Sequence, residues 1–170
     1  ATINEKGGKY AGLDRYEANQ SAVGSNKGNR IDLKANVDSL EIVSRENIGG
    51  GGANPSNRSA IYVKDSTTLT ATGNEISLIA EGVAGKDIVG LKAESHSSVG
   101  ITTVGDLSIS VKNIDPKSRE KATLYGIYGK DSSVTAKSDK TLSVMVKDLE
   151  VDEEAVAVYS NTNSTVSLSG

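Results

Sequence analysis

The chain of 170 residues contains no cysteine, no tryptophan and no phenylalanine, and it has one histidine and two prolines. Each absence removes a class of explanation. Without Cys there is no disulfide scaffold and no thiolate zinc or redox centre. One His excludes a multi-His metal site and leaves His-dependent catalysis to His96 alone. An excess of positive charge is absent too: the net charge is −3, which speaks against a nucleic-acid partner, because such proteins draw on basic patches to neutralise phosphates. No run of about 18 apolar residues is present, so no helical membrane span is expected. No secretory signal opens the chain, which therefore reads as mature, excised or intracellular.

The missing large aromatics bear on the fold. A globular core of this size usually buries several Phe or Trp, which carry much of its burial energy. Here the apolar set is Val, Ile, Leu and Ala, beside 18 Gly and a large share of Ser and Thr. Such side chains suit a narrow, regular interior and favour a stacked β architecture over a globular α/β enzyme.

What is present is a repeat. The segments IYVKDSTTLTATGNEISLIAEGV from Ile61, LKAESHSSVGITTVGDLSISVKNI from Leu91 and IYGKDSSVTAKSDKTLSVMVKDL from Ile127 align with each other. VYSNTNSTVSLSG from Val158 and a divergent copy upstream of Leu40 align with them as well. Mid-repeat apolar anchors fall at Val23, Leu69, Val99, Val134 and Val166, at spacings of 46, 30, 35 and 32 residues. Each copy holds three alternating runs. The first is Ile61/Val63, Leu91/Ala93, Ile127/Gly129 and Val158/Ser160, and the second is built on the anchors. The third is Ile31/Leu33/Ala35, Ile76/Leu78/Ala80, Leu107/Ile109/Val111 and Leu142/Val144/Val146, followed by a column at Leu40, Val83, Ile114 and Leu149. Period-two alternation means one buried and one solvated face.

Three short strands per copy, stacked copy on copy, predict an all-β fold: a parallel β-helix, right-handed by the rule for parallel crossovers, with about four to five rungs. The predicted organisation is a flexible entry segment over residues 1–9 and one solenoid segment over residues 10–170. Length variation collects after the third strand, at about 41–59, 84–89, 115–125 and 150–156, where Pro55, Pro116 and the run Gly49–Gly52 lie. The chain stops after a second strand with no polar cap, so a piece of a longer solenoid is expected. A β-sandwich explains the short strands but not the match between columns.

Rungs such as GIYGKDSSVTAKSDKTLSVMVKD, rich in Ser, Thr and Asn and free of Cys, resemble the passenger domains of bacterial autotransporters. The resemblance is one of style and covers about residues 16–170. It implies secretion through the outer membrane, display on the bacterial surface, and adhesion to host cells, matrix or other bacteria. Absence of Cys also suits a chain that crosses an oxidising periplasm unfolded.

The candidate binding residues follow from the repeat. Tyr16, Tyr62, Tyr128 and Tyr159 each precede the mid-repeat anchor by six or seven residues, with Lys92 in the same column. Their neighbours Ile61, Val63 and Ile127 point inward, so the column is expected to face outward, either as a surface that binds sugar rings or protein or as a structural ladder. Lys117, Arg119, Asp152, Glu153 and Glu154 occupy corner loops that project from one edge of successive rungs, a second place for binding. The acidic cluster around them matches no calcium loop, and no metal or cofactor is expected.

Other motifs read as structure. His96 aligns with Ser66, Asp131 and Asn163, all turn formers, so it reads as a solvated turn. Ser118–Lys121 is a lone S-x-x-K without companion motifs, and Gly49–Gly52 lacks the Lys-Ser/Thr of a phosphate loop. Hydroxyl columns such as Thr68, Ser98, Ser133 and Thr165 raise an ice-binding reading, set aside because strict T-x-T ladders are not kept.

The reading is therefore a non-catalytic, surface-displayed bacterial adhesin segment. Its partners would be host-cell, matrix or bacterial surface proteins or glycans, with self-association allowed. A β-helical polysaccharide lyase or hydrolase is the enzymatic alternative, for which the sequence shows no Trp platform and no clustered acid and base. A trimeric phage fibre segment is the third reading.

Overall fold

A computed structural model describes residues 2–4, 20–25, 28, 30–34, 39–45, 58–82, 87–114, 123–147 and 154–170. They form thirteen strands: β1 (Thr2–Asn4), β2 (Gln20–Ser25), β3 (Arg30–Lys34), β4 (Ser39–Arg45), β5 (Arg58–Val63), β6 (Thr68–Gly73), β7 (Glu75–Gly82), β8 (Ile88–Thr103), β9 (Leu107–Asn113), β10 (Thr123–Ser138), β11 (Leu142–Lys147), β12 (Glu154–Asn161) and β13 (Thr165–Ser169). Every strand pairing is parallel. The long strands β8 and β10 bend, and each serves two faces. The first face runs β2, β5, β8, β10, β12; the second runs β3, β6, β8, β10, β13; the third runs β1, β4, β7, β9, β11. This is the expected parallel β-solenoid.

Inward side chains from the three faces meet in one core. Ile61, Leu91 and Ile127 come from the first face, Leu69, Val99 and Val134 from the second, and Ile42, Leu78 and Ile109 from the third, all essentially buried. Val, Leu and Ile fill this bore because each projects only a few ångströms from its strand. A smaller cluster, Ala80, Ile88, Val111 and Leu124, sits at the edge between the third and first faces. The solenoid has about three turns, slightly fewer than the four to five rungs expected. Among the described residues the end strands β11, β12 and β13 each pair on one side only, and Val158 and Leu168 are 38% exposed.

The upstream copy is displaced by one strand from the sequence alignment. Val23 is the register partner of Ile61, not of Leu69; Ile31 pairs with Leu69, and Leu40 with Ile76. The alternating pattern is alike on all three faces, so a divergent copy aligned equally well one strand out. Residues 41–45 belong to β4 and Arg58–Ser59 to β5, so the insertion expected over 41–59 is shorter; 46–57 lie outside the described residues. Thr2–Asn4 pair with Glu41–Val43, which replaces the expected frayed entry at that point.

Two corner devices turn the chain. Between the first and second faces the backbone enters the left-handed region at Asp65–Ser66 (φ 54° and 62°), Ser95–His96 (53° and 62°), Asp131 (49°) and Thr162–Asn163 (47° and 51°). Asp, Asn and His bear this region better than most residues do, and Thr162 is the β-branched exception among these positions. The next residue in each copy carries a hydroxyl: Thr67, Ser97, Ser132 and Ser164. Thr67, wholly buried, donates from its hydroxyl to the Lys64 carbonyl at 2.7 Å, while its amide donates to Ser97 Oγ at 3.2 Å. The Ser132 hydroxyl donates to the Ala93 carbonyl at 3.0 Å, and its amide donates to Ser164 Oγ at 3.2 Å. These hydroxyls satisfy backbone groups that the turn removes from the ladder.

At the corner between third and first faces the interior narrows. Ala60, Gly90 and Gly126 occupy it. A Cβ on Gly90 would run into Ile109 Cγ2 and come within 2.7 Å of the Gly126 carbonyl oxygen. One on Gly126 would run into Val144.

The second face carries three outward columns. Thr68, Ser98, Ser133 and Thr165 are in register on one side. Thr70, Gly100, Thr135 and Ser167 form the middle column; Thr72, Thr102, Lys137 and Ser169 form the other side. Arg30, Asp32 and Lys34 of β3 continue the columns at one end.

The corner account separates two adjacent threonines. Thr67→Val should cost about 1–3 kcal/mol in urea unfolding, because it leaves buried backbone groups unpaired. Thr68→Val, one residue later on the exposed face, should stay within about 0.5 kcal/mol of the parent. Equal effects would contradict a structural role for the buried hydroxyls.

Candidate functional site

The expected column exists in register: Tyr62 pairs with Lys92, Lys92 with Tyr128, and Tyr128 with Tyr159. Each stands on the first face between inward neighbours, so each points outward, as alternation requires. The column is not uniformly exposed, however. Tyr62 is only 4% exposed, which corrects the expectation of an open tyrosine surface along its whole length. Tyr16 lies outside the described residues. The first-face residue beside Tyr62 in the preceding turn is Gly24, where a Cβ would lie 2.6 Å from the Tyr62 carbonyl oxygen.

The column has two parts. In the lower part, the Lys92 ammonium sits 5.0 Å from the Tyr62 ring centroid and 5.3 Å from that of Tyr128. Its Nζ also lies 3.5 Å from Glu94 Oε1, and the Tyr62 hydroxyl donates to Glu94 Oε2 at 2.6 Å. The cation is therefore held between two π faces and a carboxylate, an arrangement that compensates its partial loss of water. Tyr62, Lys92 and Glu94 stiffen the scaffold and offer little free surface.

The upper part is aromatic and partly exposed. Tyr128 and Tyr159 stack with centroids 5.0 Å apart and planes 13° from parallel. Tyr125 meets Tyr128 edge-on at 5.2 Å and lies tilted to Tyr159 at 5.4 Å. The Asn161 side-chain amide donates to the Tyr159 hydroxyl at 2.9 Å. Three rings with hydroxyl, amide and carboxylate groups at their edge form a surface with apolar faces and polar margins, which suits either a sugar ring or a peptide side chain. Tyr125 was absent from the sequence-derived column, because it sits three residues from Tyr128 rather than at the repeat spacing. The signal that identifies it is local: two tyrosines separated by Gly126 and Ile127 in a bending strand.

Burial raises the Tyr128 hydroxyl above its ordinary pKa of 10.0, helped by the negative charge of Glu94 and by the neighbouring Tyr159 and Tyr125.

Of the loop candidates, Lys117, Arg119, Asp152 and Glu153 lie outside the described residues. Glu154 is no loop residue: it opens β12, in register with Thr123. His96 stands at a left-handed corner with its side chain 78% exposed, its Nε2 3.3 Å from Asp131 Oδ2 on the next turn. Among the described residues no three His, Asp or Glu side chains converge on a point where a metal ion would sit. A shallow depression of about 300 Å³ lies at the last turn between Leu142 and Leu168.

The Tyr128 environment generates a prediction. With its folded pKa raised, Tyr128 contributes stability that is intact below the unfolded value and lost as pH rises through the folded one. Absorbance titration should show a tyrosine ionising above the ordinary value, and Tyr128→Phe should remove that component. Stability should fall as pH rises above about 10, less steeply in the variant. A titration unchanged by Tyr128→Phe would contradict the shielded position.

No protein-family model matches the chain, and neither the curated proteins nor the solved structures contain a match to it.

Proposed function

We propose that this solenoid is a non-catalytic binding segment displayed on a bacterial surface, an adhesin of the kind its autotransporter-like rungs suggest. The observation that carries the reading is the division of the tyrosine column. Tyr62 and Lys92 are committed to the scaffold, whereas Tyr125, Tyr128 and Tyr159 gather into a partly exposed cluster on the outer face. Aromatic clusters on rigid elements lose little side-chain freedom on binding, which is why they dominate interface energetics. The fitting ligand is a surface protein or glycan of a host cell or of another bacterium, read by contact and not by chemistry. No helix among the described residues is long and apolar enough to cross a membrane.

The test uses the 170-residue chain on beads. Fluorescent bacterial and epithelial cells should adhere to the parent, and Tyr159→Ala should lower adhesion several-fold with the melting temperature little changed. Tyr62→Ala should act the other way, lowering the melting temperature by several degrees because it opens the packed lower part. Parent beads that capture neither cell type would overturn the adhesive role. Adhesion insensitive to Tyr159→Ala would move the contact away from the cluster.

A further inference from the structure

The second face presents hydroxyls in a two-dimensional array, and those hydroxyls are unused. Thr70, Thr135 and Ser167 of the middle column, and the hydroxyls flanking them, bond no other group among the described residues. The third face behaves differently: there Ser108 donates to Ser77 Oγ at 2.9 Å, closing its own ladder. Every residue of the middle column from Thr70 to Ser167 except Gly100 is exposed. At Gly100 a Cβ would meet nothing within 4 Å, so the array has an open notch at its centre. Charges lie at its margins: Arg30 Nε is 3.3 Å from Asp32, Lys137 Nζ is 3.8 Å from Asp139, and Lys34 follows Thr72 in a side column. The middle column from Thr70 to Ser167 carries no charge.

Hydroxyl pairs contribute little singly, since each bond to a ligand replaces one to water. A monosaccharide would gain almost nothing here. A ligand that repeats its own hydroxyls at a similar step gains from every row at once, and the rigid sheet has already met the ordering cost. Rows follow one another at the inter-strand spacing of about 4.8 Å, and alternate residues along a strand at about 6.7 Å. We propose that this face binds a neutral linear polysaccharide laid along the solenoid axis over the middle column, with one sugar ring lowered into the Gly100 notch. Lys137 favours a polymer over an extended crystalline face such as ice: its long side chain rises beside the middle column, where a single chain passes and a flat solid is held off. The proposal adds a second surface to the adhesive segment and does not rest on the tyrosine cluster.

The experiment incubates the full chain with amorphous β-1,4-glucan, chitin and mannan, and measures depletion from solution. The parent should be retained on at least one, and soluble fragments of that polymer should compete better with each added sugar up to about four units, one per row. Thr70→Val/Thr135→Val/Ser167→Ala should weaken retention by about tenfold or more. Gly100→Lys, which fits without steric conflict, should block it while the β circular-dichroism signal persists. Tyr159→Ala should leave it unchanged, so failure of the cluster and failure of this face are separable. No retention on any of the three polymers, retention indifferent to both variants, or inhibition of ice recrystallisation without polysaccharide binding would each overturn the proposal.

Discussion

Every coil of this molecule depends on parallel, in-register pairing with the coils above and below it. In a parallel stack a residue sits directly over its counterpart from the preceding turn, so each angular position must tolerate itself repeated at about 4.8 Å. Apolar side chains tolerate that easily, and hydroxyls do also. Charges tolerate it less well, and in places opposite signs or aromatic rings come between them, although Lys112 and Lys147 stack as like charges. Glu81 follows Arg45 in one column, with Arg45 Nε 2.6 Å from the carboxylate, and Lys92 separates two tyrosines in another. The same demand keeps large aromatics out of the bore, where three faces meet within the reach of a leucine.

Corners are where the constraint is hardest to meet, because the ladder breaks there and backbone groups lose their partners. Left-handed residues at Asp65–Ser66 and its counterparts make the bend, at a local cost of about 1–2 kcal/mol per non-glycine residue. Buried hydroxyls such as Thr67 and Ser132 recover the lost hydrogen bonds. Glycines at 90 and 126 make room at the other corner. The result is a rigid prism whose outer faces are held in fixed register. An aromatic cluster on one face and a hydroxyl array on another can then act as contact surfaces without first being ordered.

Much of the fold was legible because columns repeat. Ile61, Leu91 and Ile127 announce a shared inward position, and so do the turn formers Ser66, His96, Asp131 and Asn163. The upstream copy was placed one strand out, since Val23 fits an apolar anchor on any face and periodicity alone does not distinguish faces. The tyrosine column was legible as a line of register but not as two environments: only packing shows that Lys92 closes over Tyr62 while Tyr128 and Tyr159 stay open. The buried hydroxyls were missed by one residue. Thr67 and Thr68 are chemically identical, and what separates them is the left-handed pair just before, a backbone property that sequence composition does not carry. The outward T-x-T of β6 looked out of register for the same reason, because its counterparts mix Ser, Thr and Gly while keeping one geometry.

The central claim, in-register stacking, is tested most directly by a distance between residues far apart in sequence. Arg30 and Thr165 occupy one outward column, linked through Thr68, Ser98 and Ser133 by four inter-strand steps. The chain has no native cysteine, so Arg30→Cys/Thr165→Cys takes two spin labels cleanly. Pulsed electron resonance should return a single narrow distribution centred near about 19 Å, four strand spacings, broadened only by the label linkers. A broad distribution, or a centre displaced from that value by more than the linkers allow, would contradict the stacked register on which the fold and both proposed surfaces depend.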